Sequence, residues 1–88
     1  MEIILSKQAI KKLKIIKSWD LSHAKLIKEK IQLISQKKVQ FVQLQWYQWF
    51  YKERVWKYRI IFSYKENYVY ILILERRDLV YKLVSHLL

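Results

Sequence analysis

Glycine, proline and cysteine are all absent from this 88-residue chain. Without cysteine there is no disulfide framework, no thiolate metal site and no cysteine nucleophile. Without glycine there is no glycine-rich phosphate loop. His23 and His86 are the only imidazoles, too few to build a zinc site of the usual kind, so neither a metal nor a cofactor is expected. Acidic residues are scarce too. Seven Asp and Glu stand against 18 Lys and Arg, a net charge of +11. Long apolar runs are also missing. The longest uncharged stretch, residues 39–51, is interrupted by Gln40, Gln43, Gln45 and Gln48 and is too short and polar to span a bilayer. The N-terminus carries no cleavable signal pattern, which makes the cytoplasm the expected location.

What is present points to a folded domain. Hydrophobic residues make up 53% and aromatic residues 16% of the chain, a composition that argues against disorder. Residues 1–88 are expected to form one domain, and a chain of this size buries roughly 60–65% of its unfolded surface, enough for one modest core. The charge predicts attraction to nucleic acid, to an acidic protein or to an anionic membrane.

Residues 2–5, "EIIL", read as a first strand, followed by Ser6 as a helix N-cap. From 7 to about 17, Ala9, Ile10, Leu13 and Ile16 recur at helical spacing. Lysines fill the remaining positions, and the apolar stripe fits packing on a sheet better than lying on a membrane. "SWDLS" at 18–22 reads as a turn, with Asp20 or Ser22 capping a second helix that runs to about 36 on a stripe of Ala24, Ile27, Ile31 and Ile34. A short link between two helices predicts an antiparallel hairpin. Val, Phe, Trp and Tyr then dominate residues 39–55, 58–64 and 68–74, which read as three strands. "KEN" at 65–67 is the turn between the last two, with Asn67 suited to the left-handed conformation. Residues 78–88 fit a short closing helix. The fold class is therefore α+β: a small, mostly antiparallel sheet of order β-α-α-β-β-β, with the helical hairpin packed on one face.

Strand parity sorts the side chains. Tyr47, Trp49 and Tyr51 share one side; Phe50, Lys52 and Arg54 share the other. On the next strand, Tyr58, Ile60 and Phe62 oppose Arg59, Ile61 and Ser63. If the hairpin covers one face, Lys52, Arg54 and Arg59 gather on the open one. Trp46, Trp49 and Trp56 read as core or interface residues rather than as base-stacking platforms.

"RVWKYRIIF" at 54–62, "VYILILERRDLVY" at 69–81 and the opening "EIILSKQAIKKLKII" together resemble the RelE/ParE toxin superfamily over nearly the whole chain. The most specific parts are Tyr58-Arg59, and Arg77 with Val80-Tyr81. The resemblance implies a small sheet with a helical hairpin on one side. RelE-like members cut messenger RNA, usually in the ribosomal decoding site. ParE-like members poison DNA gyrase. Both are held inactive by an antitoxin encoded beside them. Carried over residue by residue, Arg59 matches the arginine that contacts the scissile phosphate. Lys52 matches one of two strand lysines used for acid–base work, and Phe50 stands where the other would be. Arg54 matches a further basic position, Arg77 the arginine of the late motif, and Tyr81 the tyrosine that stacks on a base. Glu75 occupies a position that is arginine in the best-studied branch, and Trp56 one that is usually glycine.

On this resemblance the chain is expected to be a type II toxin that cleaves messenger RNA without a metal. Arg59 and Arg77 suit stabilisation of the phosphorane-like charge, because a guanidinium grips two phosphate oxygens. Lys52, crowded by Arg54 and Arg59, suits proton exchange. Tyr81 or Phe50 would stack on a splayed base, with Lys57 and Arg76 as further RNA contacts. Glu75 is expected to pair with Arg77 or Arg59. The expected partners are an acidic antitoxin, messenger RNA and the ribosome, with no membrane. Plainer roles stay open: Lys52 and Arg54 are also what a protected edge strand carries, and Tyr81 could cap the core. The alternative is a non-catalytic protein, either a gyrase poison or a degenerate toxin that only binds antitoxin or RNA; Phe50 and Glu75 favour it.

Overall fold

A computed structural model describes residues 1–87. The chain runs β1 (Glu2–Leu5), α1 (Lys7–Trp19), α2 (Leu21–Ser35), β2 (Val42–Gln43), β3 (Tyr51–Val55), β4 (Tyr58–Lys65), β5 (Tyr68–Arg76) and α3 (Arg77–Leu87). The five strands form one sheet in the order β1-β5-β4-β3-β2. β1 lies parallel to β5 and every other pairing is antiparallel. The α+β class and the helical hairpin are as the sequence predicts.

Local chemistry explains the helix ends. Ser6 caps α1 by accepting from the Ala9 amide, 3.0 Å away. Its own hydroxyl donates to the Leu72 carbonyl at 2.6 Å. Two residues on, Gln8 takes over where β1 stops. Its side-chain amide donates to the Leu74 carbonyl at 2.8 Å and accepts from the Leu74 amide at 2.9 Å. One glutamine thus satisfies the open edge of β5 as a strand would. Asp20 both ends α1 and caps α2, accepting from the His23 amide at 3.1 Å. That backbone bond, with the His23 ring and Ser22 hydroxyl beside it, lowers the Asp20 pKa. At the other end of α2, the Lys37 amide donates to the Ile34 carbonyl and the Lys38 amide to the Leu33 carbonyl. This is the paired closure normally built on a left-handed glycine. Here Lys37 takes that conformation, with φ 56°.

The sheet has a core on each side. The hairpin side buries Ala9, Ile16, Ala24, Ile27, Ile31 and Ile34 against Ile60, Phe62, Val69, Ile71 and Leu74. The opposite side holds a smaller cluster of Leu44, Ile61, Ile73, Val80 and Val84 beneath α3. A bulge in β5 makes both possible. Ile61 pairs with Ile73 and Phe62 with Ile71, so Leu72 is extra. Leu74 and Ile71 then face the hairpin while Ile73 faces α3.

Several expectations need correction. Residues 39–55 do not form one strand. Leu44 is buried in the smaller core, and the chain turns at 45–49 with Trp46 and Trp49 both at φ 72°. Burial of Leu44 holds the turn against the strand propensity of its neighbours. Ile10 is exposed rather than part of the α1 stripe, because the helix meets the sheet along Ala9 and Ile16. In the β4–β5 turn Glu66, not Asn67, takes positive φ, at 57°. Finally, the second sheet face is not fully open, since α3 covers its apolar half. Trp46, Trp49 and Trp56, taken as core or interface, are all exposed, which removes the core alternative.

Candidate nucleic-acid interface

What α3 leaves uncovered is the cationic end of that face. Lys52 pairs with Ile61, and Arg54 lies directly opposite Arg59. Cross-strand partners share a face, so parity does bring Lys52, Arg54 and Arg59 together. α3 begins beside them. The Arg77 amide donates to the Lys57 carbonyl at 2.8 Å, tying the helix start to the β3–β4 turn. One turn further along, Tyr81 comes over Lys52, whose ammonium lies 3.4 Å from the phenol oxygen.

The result is an open cavity of about 750 Å³ lined by Lys52, Arg54, Arg59, Arg77 and Tyr81, the five residues singled out as a catalytic set. Lys30, Lys38 and Glu53 complete its charged wall. Six cations therefore surround one carboxylate, and that carboxylate is engaged: Glu53 pairs with Lys30 at 3.5 Å. Arg59 is held at the centre. Its Nη1 donates to the carbonyls of Trp56 (3.1 Å) and Tyr58 (3.0 Å), leaving its other donors for an anion. Partial burial, then the neighbouring guanidiniums of Arg54 and Arg77, lower its pKa from the usual arginine value, and the Tyr81 phenol opposes them. Two arginines at the N-terminal end of a helix also oppose the helix dipole. Such an assembly of like charges destabilises the free protein and is relieved by a bound polyanion.

A second cavity of about 600 Å³ adjoins the first. It shares Arg54, Arg59 and Arg77 and adds Trp56, Lys57, Arg76 and Asp78. Lys57 lies 4.6 Å over the Trp56 ring, and Arg76 pairs with Asp78 at 3.3 Å. Trp56 itself sits in the two-residue β3–β4 turn at φ 53°, the position glycine usually fills in the family it resembles. Its indole stacks on His23, 4.0 Å between centroids.

Two residues do not join the cavities. Phe50 is half-buried against the α3-side core, edge-on to Tyr47. Glu75 pairs with neither Arg77 nor Arg59. Its Oε1 meets the Lys12 ammonium at 2.9 Å and accepts from the Arg76 amide at 2.9 Å. The first helix lies along the open edge of β5, which brings Lys12 closer than either arginine. Lys30, Lys38 and Glu53 were not anticipated. Lys30 and Lys38 come from α2 and the segment after it, and only the packing of the hairpin brings them to the sheet. The adjacency of Glu53 to Lys52 and Arg54 was the one signal available.

No sequence family matches this chain, and no curated protein does. Among solved structures, the YoeB dimer from Staphylococcus aureus matches it with a TM-score of 0.73 and 18% identity, over 88% of this chain and 97% of that one. The chain has the fold of that YoeB protein. In this YoeB-type fold the sheet, the hairpin and α3 each contribute to one cationic cavity. Among the described residues, no cluster of three metal-ligating side chains occurs, and no helix is long and apolar enough to cross a membrane.

Proposed function

We propose that this protein is the toxin of a toxin–antitoxin pair and acts as an endoribonuclease on messenger RNA, stopping translation. One observation carries the reading: Lys52, Arg54, Arg59, Arg77 and Tyr81, drawn from β3, β4 and α3, line one cavity. The YoeB-type fold supports it.

In this reading the ribose 2′-oxygen attacks the adjacent phosphorus and the bond to the 5′-oxygen breaks. The products are a 2′,3′-cyclic phosphate and a free 5′-hydroxyl. A base takes the 2′ proton and an acid returns one to the 5′-oxygen. Lys52, beside the Tyr81 phenol, is the group positioned for proton transfer. Arg59 and Arg77 stabilise the charge that develops on the non-bridging oxygens, and Arg54 holds a neighbouring phosphate. Tyr81, exposed at the rim, stacks on the displaced base. Phe50 has no part in the chemistry. Lys57 and Arg76 guide the strand along the second cavity. An acidic antitoxin would mask the cavity, a role that suits the net charge of +11, and the ribosome would present the message, as in the RelE-like members this chain resembles.

Induced expression should halt translation, and primer extension on cellular messages should reveal discrete new 5′ ends. Arg59→Ala should lower single-turnover cleavage by about 10²–10³ with circular dichroism unchanged. Continued translation with accumulating gyrase-linked DNA breaks would overturn the ribonuclease reading in favour of a gyrase poison.

A further inference from the structure

Beyond the cationic cavity, a third opening remains unused. It has a volume of about 420 Å³ and is lined by Leu44, Gln45, Trp46, Tyr47, Tyr81, Val84 and Ser85. Tyr81 lines both this cleft and the cationic cavity, so a single ring borders the two.

The wall of the cleft opposite α3 is an ordered turn. The Leu44 amide donates to the Phe50 carbonyl at 2.7 Å, the Tyr47 amide to the Leu44 carbonyl at 3.2 Å, and the Phe50 amide to the Tyr47 carbonyl at 3.3 Å. Leu44 roots it in the core. On this fixed frame Trp46 is 88% exposed and held at φ 72°. For a bulky side chain that backbone is an outlier. Nothing in the core rewards it, since the indole is almost wholly in water. The turn's own hydrogen bonds hold this backbone instead, and they present the indole to solvent as a fixed surface open to a ligand. The surroundings give the chemistry: an aromatic surface, an apolar floor of Leu44 and Val84, and the polar side chains of Gln45 and Ser85. That combination suits an unpaired base, which offers a flat face to stack and an edge to hydrogen-bond.

We infer that the cleft between Trp46 and α3 is a nucleobase subsite, in which Trp46 stacks on a base of single-stranded RNA close to the phosphate held by the cationic cavity. This rests on the ribonuclease reading and extends it: stacking on Trp46 supplies affinity for whichever base enters, and the polar side chains of Gln45 and Ser85 read its edge. The charged cavity binds any phosphate, and its neighbour discriminates among the bases that follow.

The probe is a single-stranded RNA oligonucleotide with 2′-O-methyl riboses, which binds without being cut. Trp46→Asn is the informative variant, because asparagine tolerates the left-handed backbone and the exposed indole contributes nothing to the core. Its affinity should fall about 5- to 150-fold, the loss of one stacked base. Trp46→Phe should recover most of it. Replacing single bases by abasic sites should find one position whose loss costs the native protein this factor and costs Trp46→Asn nothing further. If Trp46→Asn binds as tightly as the native chain while Arg54→Gln binds less tightly, the subsite is wrong and the ribonuclease reading survives. If Lys52→Gln and Arg54→Gln also leave RNA binding unchanged, both fall. If Trp46→Asn disrupts self-association or antitoxin binding and spares RNA affinity, the indole serves a protein interface, and the inference is overturned.

Discussion

Arg54→Gln should make the protein more stable and a weaker RNA binder at once. Arg54 stands directly across the ladder from Arg59, with Arg77 on the same cavity wall, and it has no ion-pair partner among the described residues. Like charges facing each other on adjacent strands cost about 0.2–1 kcal/mol. Removing one should return that amount. In a domain of this size it corresponds to about 1–8 °C in Tm. Salt supplies the internal control. At 1 M the screening length falls to about 3 Å, so the advantage over the native chain should nearly vanish. In RNA binding the variant loses one phosphate contact. The log–log salt slope for a single strand should flatten by about 0.7. Thermal melts at low and high salt, beside a salt titration of RNA affinity, test both halves. A variant that is less stable, or whose gain persists at 1 M salt, would show that Arg54 is not held against repulsion. An unchanged salt slope would remove it from the RNA contact.

Three further outcomes follow from particular contacts. Glu75→Gln keeps an acceptor for the Arg76 amide but loses the Lys12 pair, so stability should fall by about 1 kcal/mol in a denaturant titration while single-turnover cleavage stays within a few-fold; a several-hundredfold collapse with binding intact would make Glu75 the general base. The Tyr64 phenol donates to the Ile34 carbonyl at 2.6 Å, and burial, with Tyr51 and Glu53, raises its pKa to about 12. Tyr64→Phe should cost about 0.5–1.5 kcal/mol below pH 10, where the phenol is neutral in both folded and unfolded chains. Because the folded pKa is the higher one, the difference from the native chain should shrink as pH rises from 10 to 12, and a constant difference would contradict it. Glu66→Gly relieves positive φ at a turn where the glutamate makes no ion pair among the described residues, and the melting curve should show a gain of about 0.5–1 kcal/mol net of glycine's greater unfolded-state entropy.

The grouping of the candidate site residues was largely legible because strand parity is a local rule. Lys52 and Arg54 are two residues apart, and a two-residue turn after Val55 fixes Arg59 opposite Arg54. The cation cluster therefore follows from order along the chain. The α2 stripe of Ala24, Ile27, Ile31 and Ile34 was equally plain, because a single helix face meets the sheet. Residues 39–55 misled for the opposite reason. Their composition favours strand, but Leu44 gains more by burial under α3 than its neighbours gain by pairing, and α3 lies more than thirty residues downstream in the chain. Glu75 shows the same limit. Arg76 and Arg77 are its neighbours in sequence, yet its partner is Lys12, delivered by a helix at the other end of the chain.

The element types, the hairpin, the charge and the side of the sheet on which that charge lies are local properties, because each depends on spacing within one segment or across one short turn. The rest arises from long-range packing. Docking of α3 divides the second sheet face into a core and a cavity, the hairpin brings Lys30 and Lys38 to the cavity wall, and Leu44 pins the turn that leaves Trp46 in solvent. Those outcomes depend on which distant apolar surfaces bury one another, and that competition is settled across the whole chain, not within any window of it.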